Sequence, residues 1–313
     1  MMVGGKMMGK AEEKKITRTI RRNWKDWMFY ALIVCIPVVQ FCIMYLGVNF
    51  NSLIMSFQQY DVNTGVFSWN GFHNYIDFFE MLGTDRLWLT MLGNSTIAFL
   101  VAQFITKTLA IFFSYYMFKK YFGYKVLRII LFIPSVISTL VTVVVFARFV
   151  DGAFPELFGM ERGGLSNPDT TFFYILFYNV WIAFGPSLLV YSSSMNDVPP
   201  AVTEAAKLDG CGPFREFWNI LFPNIWSTYV VFTITTLATY FGNNLNLYSF
   251  YGSGADTKLY TFGYWLFRET ELNKATMDNY PFLSAVGVCF TMILVPIVML
   301  IRKCMLRFGP RPD

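Results

Sequence analysis

Acid–base or metal chemistry needs histidines, cysteines and carboxylates brought close together, and this chain has few to bring. His73 is its single histidine, and its five cysteines, Cys35, Cys42, Cys211, Cys289 and Cys304, form no C-x-x-C pair. Zinc sites of the usual Cys/His spacing and most histidine-based catalysis are therefore excluded. Cys35, Cys42 and Cys289 fall inside apolar runs, where a reduced cysteine serves as a small apolar residue. One segment mimics a nucleotide motif. Gly4-Gly5-Lys6-Met7-Met8-Gly9-Lys10-Ala11 reads G-x-x-x-x-G-K, but Ala11 stands where a phosphate loop needs a Ser or Thr hydroxyl for Mg²⁺. The segment also opens a polar tail instead of joining a buried strand to a helix, so any ATP the protein uses is bound by another chain.

The densest pattern of chemically informative residues runs from Val198 to Pro223. Pro199 and Pro200 end an apolar run, and Ala201 to Leu208 suits a short helix rich in Ala and charge. Gly210 and Gly212 allow a sharp reversal, and Pro213 suits the first turn of a second helix. In that helix Phe214, Phe217, Trp218 and Leu221 recur at helical spacing, which predicts one shared apolar face. The expectation is a helix–turn–helix lying beside a membrane.

A second polar set follows it. Thr233, Thr235, Thr236, Thr239, Tyr240, Asn243, Asn244 and Asn246 interrupt an otherwise apolar stretch. At bilayer depth such groups either line a wet path or hydrogen-bond between helices, and the residues alone leave both readings open. Asn243 and Asn244 differ by about 100° around a helix, so only one can face a path unless the helix unwinds there. Tyr240, Trp181, Tyr248 and Phe250 could stack on the rings of a ligand or form an interfacial belt. Lys107 is the one charge inside a span, and its long stem is expected to snorkel toward an interface.

The elements that must carry these residues are membrane spans. Of 313 residues, 55% are hydrophobic, 19% aromatic and only 14% charged, where soluble domains have about 25% charged. The net charge of +5 is modest, and the basic residues cluster by membrane side and not on one nucleic-acid-binding face. Charge-free intervals of 34 residues after Asp26, 19 after Arg128, 27 after Asp169, 39 after Glu216 and 23 after Asp278 are each long enough to cross as helix. Leu87 to Phe118, broken only by Lys107, makes a sixth. The chain is thus expected to be all-α with spans near 28–48, 88–117, 129–147, 171–195, 225–247 and 280–301. Alternate connections, counted with both tails, hold 18 Lys and Arg on one side and 6 on the other, which predicts cytoplasmic N and C termini. A basic tail over 1–26, a six-span domain over 27–303 containing a cytoplasmic loop at 197–223, and a tail over 304–313 complete the layout. The Met28–Val48 run is longer than a signal-peptide core and no A-x-A-like site follows it, so it is expected to remain as an anchor.

Glu204-Ala205-Ala206, Asp209-Gly210, Phe217, Ile220 and Pro223 resemble, at fixed spacing, the EAA loop of permease subunits of binding-protein-dependent ABC importers, particularly those for carbohydrates. Cys211 and Phe222 are mild departures from the family's Ala and Leu. Further similarity lies in Trp69-Asn70-Gly71-Phe72-His73-Asn74-Tyr75, Asn94-Ser95-Thr96, Leu131-Phe132-Ile133-Pro134-Ser135, Trp181 and Gly185, so that it covers about Phe72 to Arg302. The resemblance implies a six-helix core of the type I importer kind in a bacterial cytoplasmic membrane. It implies that Glu204, Ala205, Ala206, Asp209, Gly210, Phe217 and Pro223 couple the chain to an ATPase. It also implies a second homologous permease, two ATPase subunits that bind the ATP and Mg²⁺, an extracytoplasmic solute-binding lipoprotein and a sugar substrate, with no cofactor or catalytic site in this chain. Asn243 and Asn244 look like the Asn-Asn pair of maltose-type permeases, which points to a substrate path there with Tyr240 and Trp181 beside it. The rival is an ion-coupled secondary transporter, and against it the clean spans hold no acidic residue for a proton or sodium relay.

Overall fold

The computed structural model describes residues 24–159 and 161–310. The chain divides into two units, of which the first ends at Met55 and the second runs from Ser56. The first is described as a single long helix, α1, Trp27–Met55, with Pro37 inside it and a π turn at Phe41–Gly47. Its apolar side chains are exposed all round, as expected of a helix whose solvent is lipid.

The second unit opens on an element the sequence reading did not foresee. Strands β1, Gln58–Asp61, and β2, Val66–Trp69, pair antiparallel with Gln58 opposite Trp69 and Asp61 opposite Val66. The Asp61 carboxylate accepts from the Asn63 amide and the Thr64 hydroxyl, each at 2.9 Å, which holds its pKa below the ordinary carboxylate value. Asn74 pins the start of the hairpin by donating to the Ser56 and Gln58 carbonyls at 2.9 and 2.8 Å, and Tyr75 meets the Ser56 hydroxyl at 2.7 Å. Those two residues are the Asn-Tyr of the motif singled out above.

Helices supply the rest: α2 His73–Thr84, α3 Arg86–Phe118, α4 Tyr124–Val136, α5 Thr139–Phe158, α6 Thr171–Asn196, α7 Pro200–Leu208, α8 Pro213–Ala238, α9 Leu247–Tyr251, α10 Phe262–Leu272 and α11 Tyr280–Phe308. Five helices, α1, α3, α6, α8 and α11, are each long and apolar enough to cross a membrane. The third expected span, 129–147, is not one helix. It is divided between α4 and α5, which meet at 107°. Pro134 removes a backbone donor in the last turn of α4, and Ile137 and Ser138 turn extended before α5 begins. The fifth span, expected to reach Leu247, stops as helix at Ala238.

Helix α6 organises the second unit. Ile175 and Tyr178 in its first half pack into one buried cluster with Met91, Leu247, Tyr264 and Val286. Leu188, Tyr191 and Met195 in its second half join Ala110 and Ile225 in another. A Cβ at Gly185 would come within 2.5 Å of the Leu131 carbonyl, so that glycine is what lets α4 lie directly against α6. Two buried hydroxyl contacts tie α6 to its neighbours: the Tyr178 and Thr142 hydroxyls lie 2.8 Å apart, and the Ser114 hydroxyl donates to the Leu188 carbonyl at 2.8 Å.

Lys107 does not snorkel. It is only 5% exposed, donates to the Gln103 side-chain carbonyl, lies 3.5 Å from the Thr233 hydroxyl and sits over the Tyr229 ring. Gln103 in turn donates to the Tyr229 and Thr233 hydroxyls at 2.9 and 3.1 Å. The stem reaches polar groups one helix away, on α8, and they take the place of water.

Candidate coupling hairpin and translocation segment

The hairpin between α7 and α8 forms as its residues require. Pro200 opens α7 at a position where a missing amide costs nothing. The Gly210 amide donates to the Lys207 carbonyl at 3.1 Å and the Cys211 amide to the Ala206 carbonyl at 2.9 Å, with Gly210 at φ +74°. This is a Schellman turn, whose left-handed residue favours glycine. Glu204, Ala205, Asp209 and Gly210 are all exposed on it, and Ala206 is half-buried.

The one-face expectation for the second helix is corrected. Leu221 is fully buried and Phe217 half-buried, while Phe214 points outward at 78% exposure and Trp218 is exposed too. A π turn at Phe217–Leu221 widens the helix where the four aromatic and aliphatic residues were expected to align. Leu208 is 90% exposed, so with Phe214 and Val202 the hairpin presents bare apolar side chains beside its exposed Glu204 and Asp209. Phe217 instead packs inward, its ring centroid 5.4 Å from that of Tyr115, and Pro223 is half-buried near the start of the membrane-length stretch.

Sequence reading missed what holds this hairpin. The Glu216 carboxylate, 2% exposed, accepts from the Lys119 ammonium at 2.5 Å, and the Tyr115 hydroxyl donates to the Pro213 carbonyl at 3.0 Å. The end of α3 thus grips the start of α8 through a buried ion pair and a neutral hydrogen bond. Glu216 stands in the sequence as one charge among several in a loop, and nothing in its spacing marks it as buried. The α8 helix runs without interruption from this grip to Ala238.

Beyond Ala238 the chain unwinds. The Asn243 side chain accepts from the Leu245 amide and the Asn244 side chain from the Asn246 amide, both at 3.0 Å, and Leu245 and Asn246 adopt φ of +49° and +57°. Two successive Asx turns therefore replace the helix, and the helical phase argument for the asparagine pair no longer applies. Asn246 donates to the side-chain carbonyl of Asn179 at 2.8 Å, and Asn179 donates to the Leu245 carbonyl at 2.9 Å. Asn179 was also missed, although an asparagine in a clean apolar span is itself a signal. On the other flank, a Cβ at Gly263 would lie 2.5 Å from Gly242, so α10 starts directly against this segment.

Tyr240, in the same unwound segment, bonds the Thr96 hydroxyl of α3 at 2.7 Å. Trp181 is on α6 among the rings of Phe146 and Tyr178, with centroids 6.2 and 6.3 Å away. Asn243, Asn244 and Tyr240 share one short segment, whereas Trp181 meets other rings of the same buried cluster from α6. Asn94, noted above by motif, spans the Lys258 and Tyr260 carbonyls at 2.8 and 2.9 Å, a structural tie.

Comparison with known proteins gives a consistent result. The family model for the binding-protein-dependent transport system inner membrane component matches residues 106–307. The probable ABC transporter permease protein YesP of Bacillus subtilis (strain 168) is 26% identical over 244 residues, 74% of this chain and 76% of that protein. The maltose/maltodextrin transport system permease protein MalF of Escherichia coli (strain K12) is 22% identical over 181 residues, 55% of this chain but only 35% of the length of MalF. Among solved structures, a bacterial ABC transporter involved in the import of the acidic polysaccharide alginate aligns with TM-score 0.74 at 18% identity, covering 94% of this chain and 99% of the other. The same transporter type in complex with alginate pentasaccharide-bound periplasmic protein aligns with TM-score 0.71 at 19% identity, over 94% of this chain and 100% of the other.

Proposed function

The chain belongs to the family of binding-protein-dependent transport system inner membrane components, a multi-pass permease family without ATPase activity of its own, and from that premise we propose that it is one permease of an ATP-driven sugar importer. The observation that carries this reading is the exposed Schellman hairpin whose second helix is also a membrane-length helix. In this reading two ATPase subunits, which hold the ATP and Mg²⁺, receive the hairpin, and Glu204, Ala205, Ala206, Asp209 and Gly210 form the docking tip. Leu208 and Phe214 fill an apolar groove on the ATPase, and Phe217 and Pro223 set the angle at which the tip meets α8. A stiff helix turns closure of the ATPases into a rigid-body switch of the spans.

A second homologous permease faces this chain across the substrate path, and a solute-binding lipoprotein delivers the sugar from outside. The hairpin and both termini are cytoplasmic, in keeping with the distribution of basic residues. Asn243, Asn244 and Tyr240 contact the sugar where α8 has unwound, and Trp181 lies farther along the path. The relatives named for maltodextrin and alginate support a saccharide, and the length of such polymers supports an oligosaccharide. The test is to reconstitute the chain with its copurifying subunits and receptor in proteoliposomes. ATP-dependent accumulation of an oligosaccharide is expected, and accumulation driven by a proton or sodium gradient without ATP would overturn the reading.

A further inference from the structure

A cavity of about 420 Å³ lies between α5 and α9, lined by Val143, Val144, Ala147, Arg148, Asp151 and Phe250, with Gly152 and Ser249 at its edge. Its two charges are not equivalent. Asp151 and Arg148 are three residues apart, a spacing at which oppositely charged side chains on a helix commonly pair. They do not pair here. A π turn at Phe149–Ala153 intervenes, and the Asp151 carboxylate is committed elsewhere: it accepts from the Leu165 amide at 2.8 Å, the Ser166 amide at 3.2 Å and the Ser166 hydroxyl at 2.9 Å. Asp151 therefore fastens the chain after α5, and the exposed Arg148 guanidinium has no hydrogen-bond or ion-pair partner among the described residues.

The cavity consequently offers one guanidinium without a direct partner among the described residues, beside a carboxylate whose oxygens are taken up by neutral donors, together with one hydroxyl at Ser249 and one ring at Phe250. The ring is held in place by Tyr178, centroid to centroid 5.0 Å, edge to face. Helix α9, which supplies Ser249 and Phe250, follows the asparagine turns directly, so the cavity continues the segment assigned above to the sugar. A guanidinium fork binds a carboxylate in two parallel hydrogen bonds, and a ring face accepts the apolar side of a pyranose. We infer that this cavity is a subsite for a saccharide bearing a carboxylate, with Arg148 as the group that recognises the anion. The inference rests on the importer reading and deepens it by naming the substrate class as uronate-containing.

The experiment uses the chain in its purified complex, in phosphatidylcholine vesicles, with Gly152→Cys as reporter. A Cβ at Gly152 meets nothing within 4 Å, so the thiol is accommodated without repacking. Alkylation of that thiol by iodoacetamide is followed by mass spectrometry, with buried native Cys289 as an internal control. Millimolar trigalacturonate should slow alkylation about fivefold, as mass action gives when the probe exceeds its dissociation constant severalfold. Maltotriose, neutral and of equal length, should slow it by less than about twofold on the same basis. Arg148→Met should abolish the difference, and Arg148→Lys, which keeps the charge without the fork, should retain part of it.

Equal protection by both sugars, no protection by either, or protection that survives Arg148→Met would overturn the inference. So would protection by phosphatidylglycerol vesicles with no sugar added, which would make the cavity a lipid headgroup site. Copurification of ATPase subunits with the chain reads the importer assignment separately, so a complex that assembles but shows no selective protection refutes the subsite alone.

Discussion

The two ends of α8 are built on opposite principles. At Pro213 the chain is tied down: the hairpin closes in a Schellman turn, and Lys119 and Tyr115 hold Glu216 and the Pro213 carbonyl. At Ala238 the helix dissolves into two Asx turns whose left-handed residues, Leu245 and Asn246, release backbone groups to side chains. One end is stiff, as the proposed coupling role requires. The other is unwound, as the proposed substrate contact requires, and non-helical backbone is tolerated at membrane depth where it is buried in protein or lines a wet cavity.

The sharpest way to break this contrast is to loosen the stiff end. Glu216→Gln or Lys119→Met should each lower stability by about 3–5 kcal/mol, because removing one partner strands a buried charge. Thermal melting of the solubilised complex measures it, and the double substitution should recover much of the loss. Single variants that melt with the parent would show that the grip is ornamental.

On α3, where Lys107 faces Thr233 of α8, Lys107→Met should cost about 1–3 kcal/mol by leaving the Gln103 carbonyl unpaired. Lys107→Gln, which keeps a donor, should cost less. Equal melting temperatures for the methionine variant and the parent would restore the snorkelling picture that the sequence suggested.

Gly210→Val places a β-branched residue at φ +74°, a penalty of about 1–2 kcal/mol. The substitution leaves the Lys119–Glu216 and Tyr115–Pro213 contacts in place, so the chain should still insert, while sugar-stimulated ATP hydrolysis falls about tenfold, in line with that penalty. Undiminished stimulation would remove the hairpin from the coupling path.

The smallest expected effect is at the unwound end. Asn244→Leu removes a turn bond worth about 0.5–1.5 kcal/mol and adds apolar bulk beside the proposed path. Uptake should drop while receptor binding of the sugar persists. Normal uptake for both Asn244→Leu and Asn243→Leu would make the two Asx turns purely structural.

How much of this was legible beforehand divides along physical lines. Charge-free length reveals a span because hydrocarbon excludes charge, so α1, α3, α6 and α11 were readable, as was the Gly210 reversal from glycine chemistry. Breaks were not readable. Pro134 signals a kink, but the 107° bend depends on how α4 meets α6 at Gly185. Asn243 looks the same in a helix as in an Asx turn, and only the approach of Gly263 to Gly242 decides. The Lys119–Glu216 pair joins residues far apart in sequence, and Lys107 finds its hydroxyls on another helix.

The π turn at Phe217–Leu221 sets the rotational phase between the hairpin and everything beyond it. A π turn houses one residue more than the α-helix would accept, so deleting a single residue there, such as Asn219, would let the stretch close as ordinary helix. Because the wide turn already absorbs that extra residue, the hairpin would keep its bearing on the rest of α8, whereas the same deletion from the α-helical stretch Phe222–Ala238 would rotate its two sides against each other by about 100°. The bearing of Leu208 and Phe214 is thus stored in chain length, as a count of residues, and in the coupling role proposed above a one-residue deletion should be tolerated in the π turn and not beyond it.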